Sequence, residues 1–276
     1  MKARSGLIGL WVLMASWMPG GVMAAEYVLS APPREEPTMG EYFYGPIAEY
    51  LTQVTGETFV YRHPGTWTNY TKEMQGGAYD LIFDGSHFVS WRTESAGYEA
   101  VAKVPQKMVW MIVARKDDPF IKEVGDLIGR KVCAPSSPNL GMLTLWSHFN
   151  NPVREPVQVR TLSWKDGYEG LMSGRCHAAV LPKTNLDAFD PKGENTLVLV
   201  QHDPMPNNAF TTGPRIDAML RLKIKEALLS PEGQEAASRL RARFAGGKDL
   251  VPANNAEFRG VSTVLNNALG WGIYAY

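Results

Sequence analysis

Residues 78–87 read Ala78-Tyr79-Asp80-Leu81-Ile82-Phe83-Asp84-Gly85-Ser86-His87. Residues 79–83 form a short apolar run bounded by Gly76-Gly77 before it and a small, polar Asp-Gly-Ser-His loop after it, which predicts a buried strand emptying into a loop. Upstream, strands are expected at residues 27–30 and 58–61, with a polar, Pro-rich loop and a helix over about 45–54 between them, and a short helix near 70–74. Strands and helices that alternate through brief connections predict parallel α/β architecture.

Downstream, residues 108–114 are a long apolar strand, and Arg115-Lys116-Asp117-Asp118-Pro119 is read as a charged crossing out of a first lobe. A second α/β set follows: helix 121–127, strand 131–134, the loop Pro135-Ser136-Ser137-Pro138-Asn139 opening a helix at Leu140, strand 157–161, helix 166–173, and strands 177–181 and 196–200. Pro204 and Pro206 mark the return crossing. Helix 216–229 carries Ile216, Met219, Leu220, Ile224, Ala227 and Leu228 at helical spacing. Ser230 is placed to cap the next helix, with Pro231 at its first position, and a last helical stretch spans 261–269. The expected organisation is 26–114 plus 204–276 as the first lobe and 115–203 as the second.

The amino terminus carries Lys2 and Arg4, then an apolar run over residues 7–18, then Pro19-Gly20-Gly21 and the small residues before Ala25. That order predicts a signal peptide over residues 1–25 with cleavage near Ala24 or Ala25. The run is shorter than the roughly 20 residues a membrane span needs. No cysteine stands near the cut to take a lipid, so the expected location is the periplasm, free of the membrane. Removing Lys2 and Arg4 leaves 26 basic residues against 28 acidic ones. Such a balance offers no electrostatic footprint for nucleic acid or anionic lipid.

Cys133 and Cys176 are the only cysteines. An oxidising compartment permits a bridge between them. Their places, late in one expected strand and at the start of a parallel one, offset the sulfurs along the sheet and favour two buried free thiols.

Four segments together resemble the type II periplasmic solute-binding proteins, and within them the phosphate/phosphite/phosphonate group of ABC-transporter substrate-binding proteins. They are Gly77-Ala78-Tyr79-Asp80-Leu81-Ile82-Phe83, residues 124–132 (Val-Gly-Asp-Leu-Ile-Gly-Arg-Lys-Val), Ser136-Ser137-Pro138-Asn139-Leu140-Gly141, and residues 167–180, whose Gly174-Arg175-Cys176-His177-Ala178 resembles the family's G-x-x-D-A ending. The resemblance runs in order through nearly the whole mature chain. It implies an α/β fold of two lobes, each with a central, mostly parallel sheet flanked by helices, joined by a two-strand hinge that closes like a Venus flytrap. It further implies a small oxyanion held in the cleft, an inner-membrane ABC permease as partner, a monomer, and no cofactor.

On that reading Ser136, Ser137 and Asn139 face Ser86, His87 and Tyr70 across the cleft, and the segment 136–141 meets the oxyanion with hydroxyls and free N–H groups. Asn139 and Ser137 are also natural helix caps. Asp84 departs from the small, uncharged residues the family has in its loop. A carboxylate there suits a protonated ligand, a cationic group or a metal ion, because two like charges at about 4 Å in a partly buried site cost several kcal/mol. An alternative therefore keeps the fold but makes the protein a sensor or a carrier of a metal or organic cofactor, with His63, Asp84 and His87 as ligands. Trp67, Tyr70, Phe88 and Trp91 wall the same side, as core or as a stacking surface, and His177 is expected to be structural. No nucleophile elbow, H-E-x-x-H, Walker loop or dinucleotide glycine pattern is present. Neighbouring Asp84, Ser86 and His87 cannot form a catalytic relay, so no enzyme is expected.

Overall fold

The computed structural model describes residues 25–266 and Trp271. The expected signal peptide, residues 1–25, lies outside that range except for Ala25, as do residues 267–269 of the last expected helical stretch; its first part, Val261–Leu265, is a 3-10 helix. The first half of the chain gives β1 (Glu26–Ser30), α1 (Pro37–Thr55), β2 (Thr58–Tyr61), α2 (Trp67–Gln75), β3 (Leu81–Asp84), α3 (Ser86–Ser95) and β4 (Glu99–Lys103). The middle gives β5 (Trp110–Arg115), β6 (Lys131–Ala134), α4 (Leu140–Trp146), β7 (Val157–Arg160), α5 (Trp164–Met172), β8 (Ala178–Pro182), α6 (Lys183–Phe189) and β9 (Thr196–Gln201). The chain then adds β10 (Ala209–Thr212), α7 (Ala218–Leu229), α8 (Pro231–Ala236), α9 (Ser238–Ala245) and β11 (Val251–Pro252).

These strands make two sheets, ordered β11-β4-β10-β3-β1-β2 and β7-β6-β8-β5-β9. In each, three neighbouring strands run parallel: β2, β1 and β3 in the first, β7, β6 and β8 in the second. One antiparallel strand then joins each trio, β10 beside β3 and β5 beside β8. The architecture is the expected type II binding-protein fold. Helices α1, α7 and α9 bury Tyr44, Ile47, Leu51, Leu220, Ile224 and Leu240 against the first sheet, and α4 buries Met142 and Leu145 against the second. A third cluster joins the halves, since Leu143 of α4 packs with Tyr70, Phe88, Leu265 and Trp271.

The run expected to close the first lobe belongs elsewhere. Strand β5 pairs antiparallel with both β8 and β9, so it stands inside the second sheet. A buried apolar run reads the same in either sheet; only its ladder partners decide. The charged segment after it is a turn, with Asp118 N–H donating to the Arg115 carbonyl. The chain leaves the first sheet earlier, between β4 and β5, and returns between β9 and β10. The two passages touch through a bridge of Met108 with Met205, whose N–H and C=O groups exchange two 2.8 Å bonds, and through Val104 N–H, which donates to the Asn208 carbonyl at 3.0 Å.

Helix α1 begins eight residues before its expected start near residue 45, because Pro37 falls in the stretch whose prolines mark a loop. Pro37 sits in the first turn, where no N–H is needed, and Gly56 ends the helix in the left-handed region at φ 79°. Pro46 lies in the interior. It cannot donate to the Tyr42 carbonyl four residues back, and the Arg239 guanidinium supplies that bond at 3.2 Å while lying 4.0 Å over the Tyr42 ring. Ser230 caps α8 through a bond from Gly233 N–H, as its sequence predicts.

The cysteines are a disulfide rather than two thiols, with Cα atoms 5.6 Å apart. Cys176 is not on a strand. Its N–H bonds the Gly170 carbonyl near the end of α5, while His177 N–H bonds Lys131 at the sheet edge. The chain therefore drops from the helix onto the sheet, and Cys176 arrives over Cys133 from above instead of being offset along a parallel neighbour.

Candidate functional site

Strand β3 delivers Asp84 to the end of the first sheet, and Gly85 turns the chain into α3. A Cβ on Gly85 would stand 2.8 Å from His87 Cε1 and 3.0 Å from Nδ1. Glycine is required for the ring to fold back there. No side chain caps α3, and its first two N–H groups, on Ser86 and His87, precede the first intrahelical bonds, made by Phe88 and Val89 to Gly85. From the second sheet, β6 leads into residues 135–139, a half-buried loop with a cis Ser137–Pro138 peptide. A Cβ on Gly141 would stand 2.5 Å from the Trp110 ring, so α4 can start against that indole only with glycine there.

The two loops meet. His87 Nε2–H donates to the Pro138 carbonyl at 3.0 Å, which brings Ser86 and His87 opposite the segment of Ser136 and Ser137. A carbonyl can only accept, so the proton sits on Nε2 and Nδ1 carries a lone pair. Burial pulls the His87 imidazole down to about 4, against the pull of Asp84 and the Pro138 bond. At neutral pH the ring is uncharged.

Asp84 and Tyr70 do different work from that expected of them. Both are fully buried. Arg92 grips Asp84 with two bonds of 2.7 Å, and the Tyr70 hydroxyl donates to the same carboxylate. Arg92 is itself held by the Thr211 hydroxyl at 3.1 and 2.8 Å and by Met74 Sδ at 2.9 Å. Burial alone would lower the guanidinium; the Asp84 charge outweighs it and holds it above its ordinary value. Burial, reinforced by Asp84, raises the Tyr70 phenol well above its own. The cluster is a neutral structural brace, and it leaves neither residue open to a ligand.

The metal alternative fails on the same geometry. His63 spends Nε2 on the Glu35 carbonyl at 3.0 Å and accepts from Gly65 N–H through Nδ1 at 3.1 Å. Asp84 is committed to Arg92. Among the described residues no group of three or more His, Cys, Asp or Glu side chains is placed to hold a metal. Asn139 acts as the N-cap of α4, its side-chain carbonyl accepting from Gly141 N–H at 2.9 Å. Phe88 is core, its ring tilted against Trp271 with centroids 5.1 Å apart, whereas Trp67 and Trp91 are half-buried around it.

What the site and its surroundings hold instead is a set of buried polar atoms without hydrogen-bond partners: Ser86 Oγ, His87 Nδ1, Arg34 Nη1, Tyr44 Oη and Trp110 Nε1, and with them one carboxylate oxygen, Glu35 Oε1. Native proteins pair such atoms, so a concentration of them marks a place completed by something else. Arg34 lies in the loop after β1 and acts electrostatically on Tyr44, Tyr70 and His87. Glu35 beside it faces Arg243 at 3.8 Å. The sequence reading passed over Arg34, Tyr44 and Trp110. Arg34 had a usable signal, because it follows β1 as Ser86 follows β3, at the carboxyl end of a parallel strand. Two cavities lie elsewhere: one of about 480 Å³ along α1 and α9, and one of about 220 Å³ beside the inter-sheet passages, lined in part by Lys103, Lys107 and Pro204.

Two sheets joined by two passages, with strand-end loops closing on each other and buried donors between them, define a two-lobed solute-binding protein of the periplasmic type. Residues 29–258 match the family described as ABC transporter, phosphonate, periplasmic substrate-binding protein, and the chain belongs to that family. Solved structures share the fold at low identity. A Xanthomonas citri protein bound to ATP superposes with a TM-score of 0.67 at 12% identity, covering 88% of this chain and 98% of its own. PhnD1 from Prochlorococcus marinus, in complex with methylphosphonate, gives 0.61 at 11%, covering 87% and 97%. A binding-protein component of an ABC phosphonate transporter from Pseudomonas aeruginosa gives 0.58 at 11%, covering 85% and 83%. No helix among the described residues is long and apolar enough to cross a membrane.

Proposed function

We propose that the chain captures a phosphonate-class oxyanion between the α3 start and the 135–139 loop and hands it to an ABC permease. The observation that carries this is the uncapped start of α3, where Ser86 Oγ and His87 Nδ1 are buried without partners, opposite Pro138. Free N–H groups and the helix dipole favour an anion there. Arg34 supplies the positive charge, and the hydroxyls of Ser86, Ser136 and Ser137 complete the donor set. The unprotonated His87 Nδ1 accepts from the P–OH of a monoprotonated ligand. Arg92 cancels the charge of Asp84, so the repulsion that carboxylate would otherwise exert is removed.

The remaining parts of the reading follow from the family and the topology. The passages at residues 104–109 and 202–208 act as the hinge, with residues 26–103 and 209–266 in one lobe and 110–201 in the other. The protein is a monomeric carrier rather than an enzyme, delivered to the periplasm by cleavage near Ala24 or Ala25. Calorimetric titration with methylphosphonate, phosphite and phosphate tests the site. Saturable binding of at least one, weakened on the order of 100-fold in Arg34→Ala by loss of about 3 kcal/mol of charge-assisted bonding, is expected. Heat from none of the three, or unchanged affinity in both Arg34→Ala and Ser86→Ala, overturns the proposal.

A further inference from the structure

A second cluster of ligating side chains lies outside this site. His148 stands two residues beyond α4, and His202 is the first residue after β9. Their Nε2 atoms are 3.3 Å apart, with ring centroids at 5.1 Å and planes inclined by 58°. Both backbones are fixed: His148 N–H bonds the Leu145 carbonyl at 3.2 Å, and His202 N–H bonds Trp110 at 2.9 Å. The next residue, Phe149, is buried in the core of the second sheet. The pair therefore stands on anchored chain with its edge open to solvent.

Two imidazoles bound to one tetrahedral metal at 2.0–2.1 Å must place their nitrogens about 3.3–3.4 Å apart. The observed separation of 3.3 Å has that tetrahedral value before any ion arrives; a tetragonal copper(II) site needs its two nitrogens at about 2.8 Å, which a small turn of either ring supplies. We propose that His148 and His202 form a two-imidazole chelate for a divalent transition metal, copper(II) or zinc, on the face of the second sheet's half and independent of the oxyanion site. Neutral imidazole is the ligating form, and burial, with His148 opposite, lowers His202 to about 4. Asp203 is the nearest acidic influence on His202. No third protein ligand joins among the described residues, so the remaining positions are filled by water or by an exogenous donor. Copper(II) is expected to bind more tightly than zinc.

Tag-free mature protein titrated with copper(II) and followed by electron paramagnetic resonance tests this. One equivalent should bind with a two-nitrogen signature. Either His148→Gln or His202→Gln should weaken it on the order of 100-fold, the second imidazole's effective-concentration advantage being lost. Thermal unfolding of each variant without metal confirms that it is folded; if one variant fails to fold, the other decides. A signature from one nitrogen or none, or an affinity unchanged in a folded variant, overturns the proposal.

Discussion

The ends of β3 and β6 occupy equivalent places in their sheets, each passing through a short loop into a helix, yet they are built in opposite ways. The first ends on a charged residue sealed at 0% exposure by Arg92 and Tyr70, with Thr211 holding the guanidinium from behind. The second ends in uncharged Pro, Ser and Asn, half-buried, with Asn139 used as a cap. One jaw is braced from behind by a buried ion pair, so its α3 start is held in place with its donors unpaired. Among the described residues the other carries no buried ion pair; it is tied down by a backbone turn, the Asn139 cap, and neutral side-chain bonds from Gln158 to the Pro135 carbonyl and from His87 to that of Pro138. The difference teaches that a carboxylate beside an anion site need not face the anion. It can fix the helix that does.

If that contrast is right, damage to the brace should cost far more than damage to the cap. Asp84→Asn leaves Arg92 buried and unpaired, and should lower unfolding free energy in urea by about 3–5 kcal/mol. A loss below 1 kcal/mol would break the comparison. Next comes acid. Folded His87 titrates near 4 and an unfolded histidine near 6.5, so the folded chain binds fewer protons between those values. Stability contributed through His87 is level above about pH 6.5 and falls as pH drops towards 4, by about 3 kcal/mol in all. His87→Gln should flatten that part of the profile; His202 is unaltered in both proteins, so the difference between their urea midpoints isolates His87. The smallest effect belongs to the second jaw. Asn139→Ala should cost about 1 kcal/mol as a lost cap, and a loss equal to that of Asp84→Asn would erase the asymmetry.

Much of the fold was legible because its signals are local. Alternating apolar runs and turn residues located β1, β2, β6, β7 and β8 to within a residue or so at either end, and Ser230-Pro231 announced α8. What was not legible depends on distant partners. Residues 110–115 carry no mark of which sheet will pair with them, and Pro46 looks like a breaker until Arg239, far along the chain, takes over its missing bond. The site divides the same way. The place of Ser86 and His87 after a strand was legible, and the structure sets His87 against Pro138 of the 135–139 loop. The role of Asp84 was misjudged because Arg92, two helical turns on, reads as an ordinary surface cation until its burial is seen. Cys133 and Cys176 were misjudged because strand register was extended through a residue that is not in a strand.

The Met108–Met205 bridge has a consequence for how such a protein tolerates change. The joint is a pair of amide-to-carbonyl rungs, and main-chain rungs are indifferent to which side chains flank them. Variation at these two methionines should leave the pivot's stiffness nearly untouched, whereas proline at either would delete a rung. On the proposed hinge, the swing would rest on the backbone, so drift in sequence could retune the grip without rewriting it.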